Sequence, residues 1–337
     1  MPKQATERLC VIGDGGWGTT LAVLLSKKGY DVTVWGVFPD YIEVLKAKRE
    51  NIKFLPGVAI PQEVRITSSL DDALHTHDLV ILAVPSLYAR SVLMRLKMHD
   101  LSRKAVVSVV KGIETKTLMT TSAVIRDCIG NIPIAVMSGP TIALEVAHGV
   151  PTSAVVSSKK RDLANRVRDL FMTERFRVYT NSDILGVELG GSLKNIIAIA
   201  AGVCDGMGFG TNSKAALLTR GLVEIVRLGV AMGAKRETFY GLSGLGDLTT
   251  TCISQYSRNR WFGEEIGRGK HPKEIAKETE MVVEGVATAK AGYELSKRRR
   301  VDMPITHEIY KVLYEGKDPK RAVHDLMTRA PKAEGKT

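Results

Sequence analysis

The stretch LCVIGDGGWGTTLAVLLSKKG, residues 9–29, decides how the chain begins to fold. Residues 9–12 are a short apolar strand running directly into Gly13-Asp14-Gly15-Gly16-Trp17-Gly18, after which residues 19–28 read as a helix ending at Gly29. Glycines at this spacing acquire meaning from the strand before them and the helix after. Gly13 permits the tight turn, Gly15 lets the backbone approach a pyrophosphate, and Gly18 lets helix and strand pack closely. The helix N-terminus then offers free amides and a positive dipole end to phosphates. Asp14 is an awkward occupant, because a carboxylate in such a turn repels its ligand unless it points away.

Residues 31–35 read as the second strand, whose end should carry the group that reads an adenosine ribose: Asp or Glu for NAD, Arg for NADP. The chain has Gly36-Val37-Phe38 there, neither signal. Phe38 either lies against an adenine ring or packs within the protein. The absence of a basic residue placed for a 2′-phosphate leans the reading towards NAD.

Further strands fit residues 64–67, 78–84, 105–110 and 134–137, with helical stretches at 41–48, 70–75 and 87–98. This alternation predicts an α/β fold, a Rossmann-type, parallel, doubly wound sheet that binds ligands beyond the carboxyl ends of its strands. Ala83-Val84-Pro85-Ser86, Val110-Lys111-Gly112 and Ser138-Gly139-Pro140-Thr141 fall there. Lys111, just past a buried strand, either points a cation into the crevice or is merely solvated. Residues 153–157 and 177–180 read as closing strands around a helix over 159–172. From Asp183 onward helical periodicity dominates, at 186–204, 214–232, 257–267, 286–297 and 304–315. The expectation is a dinucleotide-binding domain over 1–182, an all-α C-terminal domain over 183–329, and a disordered tail over 330–337.

The 337 residues suit about two domains, and 44% hydrophobic with 25% charged residues is an ordinary globular balance. No apolar run is read as reaching the roughly 18–20 residues of a membrane helix, and the start MPKQATERLC lacks a signal-type apolar core. A cytoplasmic location with no membrane span is the expectation. Cys10, Cys128, Cys204 and Cys252 form no CxxC, so they read as buried thiols, and no metal site is expected. The net charge of +12 suits anionic partners. Nucleic acid is not among them, since the densest basic run, residues 297–300, stands alone without interleaved aromatics and reads as a solvated helix end.

Residues 186–204, GVELGGSLKNIIAIAAGVC, surround one lysine with small and apolar neighbours. On a helix Lys194 shares its face with Gly190, Gly191, Ile197 and Ala198. Gly-Gly beside Ser192 is tolerable in a helix only if another backbone or a ligand approaches closely. Lys194 is then either a snorkelling side chain or an ammonium whose pKa desolvation lowers towards the range of proton transfer. A second glycine-rich stretch, GLSGLGDLTTTC over residues 241–252, lacks a preceding strand and is no second fingerprint. Asp247 reads there as a helix cap. Ser257-Arg258-Asn259-Arg260 follows, a donor cluster that suits a phosphate or is solvated surface.

Together, Gly13-Asp14-Gly15-Gly16-Trp17-Gly18-Thr19, Val110-Lys111-Gly112, Ser138-Gly139-Pro140, Glu188-Leu189-Gly190-Gly191-Ser192-Leu193-Lys194-Asn195, Gly246-Asp247-Leu248 and Ser257-Arg258-Asn259-Arg260 closely resemble the NAD(P)-dependent glycerol-3-phosphate dehydrogenases. The resemblance runs in family order from about Leu9 to Met327. It implies reversible reduction of dihydroxyacetone phosphate to sn-glycerol 3-phosphate, the glycerophospholipid precursor, with NAD or NADP and no metal, by a cytosolic homodimer. It makes Lys194 the catalytic acid/base, grouped with Asp247, Lys111, Asn195 and Thr251, where Asp247 and Asn195 hold the ammonium. Substrate contacts fall to Lys111, Gly139, Thr141, Lys194, Asp247, Ser257, Arg258 and Asn259. Cofactor contacts fall to Gly13, Gly15, Gly16, Trp17, Gly18, Phe38, Lys111, Ala143, Arg258, Val282 and Glu284. Two departures stand out: bacterial members often have Arg or His near Val37, and Thr141 stands where Ser is usual. The rival readings are a related two-domain dehydrogenase of 3-hydroxy acids, and a dinucleotide sensor without catalysis.

Overall fold

A computed structural model describes residues 7–75, 77–101, 104–331, 333 and 334. Its strands are β1 (Arg8–Ile12), β2 (Asp31–Trp35), β3 (Glu50–Asn51), β4 (Leu55–Ala59), β5 (Arg65–Thr67), β6 (Leu79–Leu82), β7 (Ala105–Ser108), β8 (Ile134–Ser138), β9 (Thr152–Ser158) and β10 (Phe176–Asn181). Leu9 to Ile12 and Leu79 to Leu82 have no exposed surface, as befits strands covered on both faces. Eight strands form one sheet in the order β10-β9-β8-β7-β6-β1-β2-β5, while β3 and β4 make a separate antiparallel pair. From β5 to β8 neighbouring strands run parallel, and the order is that of a dinucleotide-binding domain. The chain reverses direction across the sheet between β2 and β6, on either side of β1.

The sheet is not parallel throughout, as the alternation predicted: β9 runs antiparallel to β8, and β10 is parallel to β9. A parallel return requires a crossover of a dozen or more residues carrying a substantial helix. Between β8 and β9 the chain has only the five-residue helix Ala143–Ala147, which packs on the first crossover helix.

The helices of this part are α1 (Gly16–Lys27), α2 (Pro39–Lys48), α3 (Leu70–Leu74), α4 (Ser86–Leu96), α5 (Thr121–Ile129), α6 (Ala143–Ala147) and α7 (Arg161–Phe171). The first begins at Gly16, earlier than the periodicity indicated, so Gly16, Trp17 and Gly18 are its first turn. The pair β3/β4, α5 and α6 escaped the sequence reading, being too short to show a period.

The second part is helical: α8 (Ile184–Gly206), α9 (Thr211–Ala231), α10 (Asp247–Ile253), α11 (Arg258–Gly267), α12 (Pro272–Ile275), α13 (Glu284–Arg299), α14 (Pro304–Tyr314) and α15 (Pro319–Met327). Helix α8 is long and apolar enough to cross a membrane, contrary to the sequence expectation, yet 94% of its apolar window is buried inside the protein. It is the axis of the second hydrophobic core, with Leu189, Leu193, Ile196, Ile197 and Ile199 at 0–1% exposure.

The chain divides into two compact units. One holds the residues up to Val110 together with Thr121–Ile184; the other holds Lys111–Thr120 and the residues from Leu185 onward. Residues 111–120, assigned above to the first domain, thus belong to the second unit, where Ile113 and Leu118 join its core and Ile113 bridges to Thr120. The tail expectation over 330–337 falls partly outside the described residues, as do Met1 to Thr6 of the N-terminal reading.

Candidate active site

In the second unit α8 places Lys194 in a buried polar cluster beside an apolar core. Lys194 is 5% exposed and Asp247 1%. The Lys194 ammonium donates to Asp247 Oδ1 and to Thr251 Oγ1, the latter at 2.6 Å. Thr251 in turn donates to the Asp247 carbonyl at 2.7 Å. Lys111 donates to the other carboxylate oxygen, Oδ2, at 2.8 Å, so one carboxylate serves two ammonium groups. The snorkelling alternative for Lys194 is therefore excluded. Burial with the added charge of Lys111 pulls the Lys194 ammonium down to about 8, against the opposing pull of Asp247. Burial works to raise the Asp247 carboxyl, but Lys111 and Lys194 outweigh it and hold it below its ordinary value.

Glycines make this geometry possible. A Cβ on Gly190 would lie 2.6 Å from the Ser243 carbonyl oxygen, so α8 meets the 241–246 turn backbone to backbone. A Cβ on Gly244 would lie 2.0 Å from the Phe239 carbonyl oxygen, which compacts that turn on the preceding residues. The turn Leu242–Gly246 is wound as a π-helix, closed by Gly246 N–H to the Gly241 carbonyl at 3.2 Å, and delivers Asp247 to the first position of α10. Single π-type turns mark functional positions in many helices. Asp247 makes no capping bond, contrary to the capping expectation; its carboxylate goes to the two lysines instead.

A chain of amides holds the rest. Asn195 donates to the Lys111 carbonyl at 3.1 Å, Asn259 donates to Asn195 Oδ1 at 2.9 Å, and Gly285 N–H donates to Asn259 Oδ1 at 2.8 Å. The donor cluster after Ser257 divides accordingly. Asn259 is an organiser of the pocket, Ser257 caps α11 by accepting from Arg260 N–H at 3.3 Å, and Arg260 is paired with Asp205 at 2.6 Å. Arg258 is exposed at the start of α11, and the Glu284 carboxylate lies within electrostatic reach of its guanidinium. Val282 is partly buried just ahead of α13, whose first residue is Glu284. The second unit thus gathers Lys111, Lys194, Asn195, Asp247, Thr251 and Asn259 into one network.

In the first unit the chain itself accounts for three of the four fingerprint glycines. Gly13 has φ +123°, and a Cβ there would lie 2.8 Å from the Ala83 backbone, where β6 ends. A Cβ on Gly18 would lie 2.0 Å from the Gly13 carbonyl oxygen. Gly16 meets the Phe54 carbonyl oxygen in the same way, at 2.5 Å. Gly15 alone is unexplained by the chain: its φ of −70° suits any residue, and a Cβ would meet nothing within 4 Å. That open space, beside the first-turn amides of Gly16, Trp17 and Gly18, fits a pyrophosphate drawn up to the backbone.

Asn51, missed in the sequence, clamps the turn. It is fully buried, donates to the Asp14 carbonyl and to Thr19 Oγ1, both at 2.7 Å, and accepts from Tyr41 at 2.7 Å. No motif signals it, since the β3/β4 pair that carries it becomes visible only in three dimensions. Ala143 opens α6 and accepts from Thr20 at 3.1 Å, beside the turn, and Trp17 packs against Phe176. Gly139, at φ +141°, ends β8 against Ala154, and Thr141 donates back to the Gly139 carbonyl at 3.1 Å. Phe38 is 68% exposed, so its packing alternative is excluded.

A pyrophosphate-type turn in one unit and a buried, carboxylate-held lysine in the other are the parts of a nicotinamide-dependent dehydrogenase. Family models described as the N-terminus and the C-terminus of NAD-dependent glycerol-3-phosphate dehydrogenase match residues 8–164 and 183–324. The chain belongs to that family. It is 47% identical to a glycerol-3-phosphate dehydrogenase (NAD(P)+) of Chlorobium limicola over 97% of this chain and 99% of the relative. To one of Carboxydothermus hydrogenoformans it is 48% identical over 97% and 98%. Among solved structures it is similar to the glycerol-3-phosphate dehydrogenase of Coxiella burnetii, with a TM-score of 0.94 and 35% identity, covering 96% of this chain and 99% of that one. These comparisons favour a glycerol-3-phosphate dehydrogenase over the hydroxy-acid and sensor readings.

Proposed function

We propose that the protein reduces dihydroxyacetone phosphate reversibly to sn-glycerol 3-phosphate, supplying glycerophospholipid synthesis, and that Lys194 is its proton donor and acceptor. The observation that carries the assignment is the buried Lys194 ammonium held between Asp247 and Thr251. The reduced nicotinamide, when bound, supplies the hydride. Gly15, with the amides of Gly16, Trp17 and Gly18, would hold the cofactor's pyrophosphate. Lys194 then stabilises the oxygen of the ketone as it gains negative charge, and protonates it. In the oxidative direction the neutral amine accepts the same proton.

Asp247 orients that ammonium and keeps it charged despite its burial. Lys111 leaves the pocket with one positive charge in excess of its carboxylate, which suits an anionic substrate. Arg258 takes the phosphate by paired, charge-assisted hydrogen bonds, so that phosphate binding orients the carbonyl. Gly139, Thr141 and Ser257 complete the substrate contacts in this reading, and Ala143, Val282 and Glu284 the cofactor contacts. The protein works as a cytoplasmic homodimer, which light scattering tests as a particle of twice the chain mass.

The reaction is tested by loss of nicotinamide absorbance with dihydroxyacetone phosphate and NADH or NADPH, beside a panel of 3-oxo acids. Turnover with the ketone phosphate and none with the oxo acids is expected. Binding of cofactor without turnover on any ketone phosphate would sink the proposal.

A further inference from the structure

The end of β2 is where a dinucleotide-binding sheet places the group that tells NAD from NADP, and the chain offers only Gly36, Val37 and Phe38 there. The fold brings a carboxylate to that spot from another element. A Cβ on Gly36 would lie 2.6 Å from both Cγ and Oδ2 of Asp14, so the Asp14 carboxylate rests directly against the residue that follows β2. The arrangement is pinned on three sides: Gly13 N–H donates to the Trp35 carbonyl at 2.9 Å, Gly36 N–H to the Thr67 carbonyl at 3.1 Å, and Asn51 to the Asp14 carbonyl at 2.7 Å.

Among the described residues no group hydrogen-bonds the inward oxygen. Asp14 Oδ2 is buried without a hydrogen-bond partner, although the residue as a whole is only partly buried. Burial pushes its carboxyl above the ordinary value of 3.8. A carboxylate oxygen left short of donors is costly to keep, and its persistence calls for a functional or structural reason. Val37 and Phe38, the next residues along the chain, are exposed at 42% and 68%.

We propose that Asp14 replaces the missing acidic residue at the end of β2: its carboxylate accepts from the 2′-hydroxyl of the adenosine ribose and repels a 2′-phosphate, so that the protein selects NAD(H) over NADP(H). The inference rests on the dinucleotide reading of the glycine turn. It also accounts for an acid in a phosphate-binding turn, because the side chain is directed to β2 while the turn's amides open the helix N-terminus.

The test is binding without any ketone. Wild-type protein, Asp14→Asn and Asp14→Ala are titrated with NADH and NADPH by nicotinamide fluorescence, and with adenosine 5′-monophosphate and adenosine 2′,5′-bisphosphate as competitors. Asn removes the charge and keeps the shape; Ala removes both, and thermal unfolding checks that each variant folds. Wild type binds NADH about tenfold or more tighter than NADPH, and both variants lose most of that ratio through tighter NADPH binding, with the competitors following. A ratio within about twofold of wild type in the folded variants, or a wild type that prefers NADPH, overturns the role of Asp14 and leaves the turn's role standing. Wild type that binds neither dinucleotide overturns the reading of the turn and this inference with it.

Discussion

At the scale of the residue, the protein keeps an ammonium where water is scarce and gives it half of a carboxylate. Burial and the neighbouring charge of Lys111 pull the Lys194 ammonium down while Asp247 holds it up, and the balance falls at about 8. Reduction needs the charged form, so kcat/KM for dihydroxyacetone phosphate should fall as pH rises through about 8, while the oxidative direction gains over the same interval. Replacing Asp247 by Asn removes the charge that opposes deprotonation, and the alkaline limb of the reductive profile should move down by roughly 1–3 pH units. An unmoved limb would show that another group titrates there. Lys194→Ala should lower kcat by about 10² to 10⁴ while NADH still binds, measured by turnover and by fluorescence titration.

At the scale of the element, glycine does two different jobs, and substitution separates them. Helices α8 and α11 meet along Gly202 and Gly206 on one and Gly263 and Gly267 on the other. A Cβ on Gly263 would lie 1.9 Å from the Ile199 carbonyl oxygen, and one on Gly202 equally close to the Arg260 carbonyl oxygen. Backbone cannot yield as a side-chain tip can, so Gly263→Ala should cost about 1–3 kcal/mol or more in denaturant unfolding. Because α11 begins with Arg258 and Asn259, the KM for the ketone phosphate should rise with it. Gly15→Ala is the contrasting case. Its Cβ meets nothing, so the unfolding midpoint should hold while NADH affinity drops, and a loss of stability equal to that of Gly263→Ala would refute the ligand explanation of Gly15.

At the scale of the whole molecule, a net charge of +12 acts on a doubly anionic substrate before any contact forms. The Debye length contracts from about 30 Å at 0.01 M salt to about 8 Å at 0.15 M. Initial rates across that range should show kcat/KM for dihydroxyacetone phosphate falling several-fold with kcat little changed. A kcat that falls in parallel would place the salt effect on the chemical step instead of on encounter. Two hydrophobic cores accompany the two units, one around the sheet and one around α8.

Legibility followed the range of the interactions. The sequence alone determined the sheet-and-helix beginning, the helical second half, the glycine turn and the isolation of Lys194, because hydrophobic period, turn chemistry and neighbours at helical spacing are local properties. It also carried the family, whose motifs survive as short runs in order. Pairing partners could not be read from it. That β9 opposes β8 depends on the short path through α6, and that Asn51 clamps the turn depends on a two-residue strand with no period of its own. Its local neighbours made Asp247 read as a cap, because a capping residue and a buried counter-ion look alike in a sequence, and only the family resemblance directed it to the ammonium; 53 positions separate it from Lys194, and folding closes that distance. The carboxylate at the end of β2 is the same case: the chain shows Gly36, and packing brings Asp14 to lie on it.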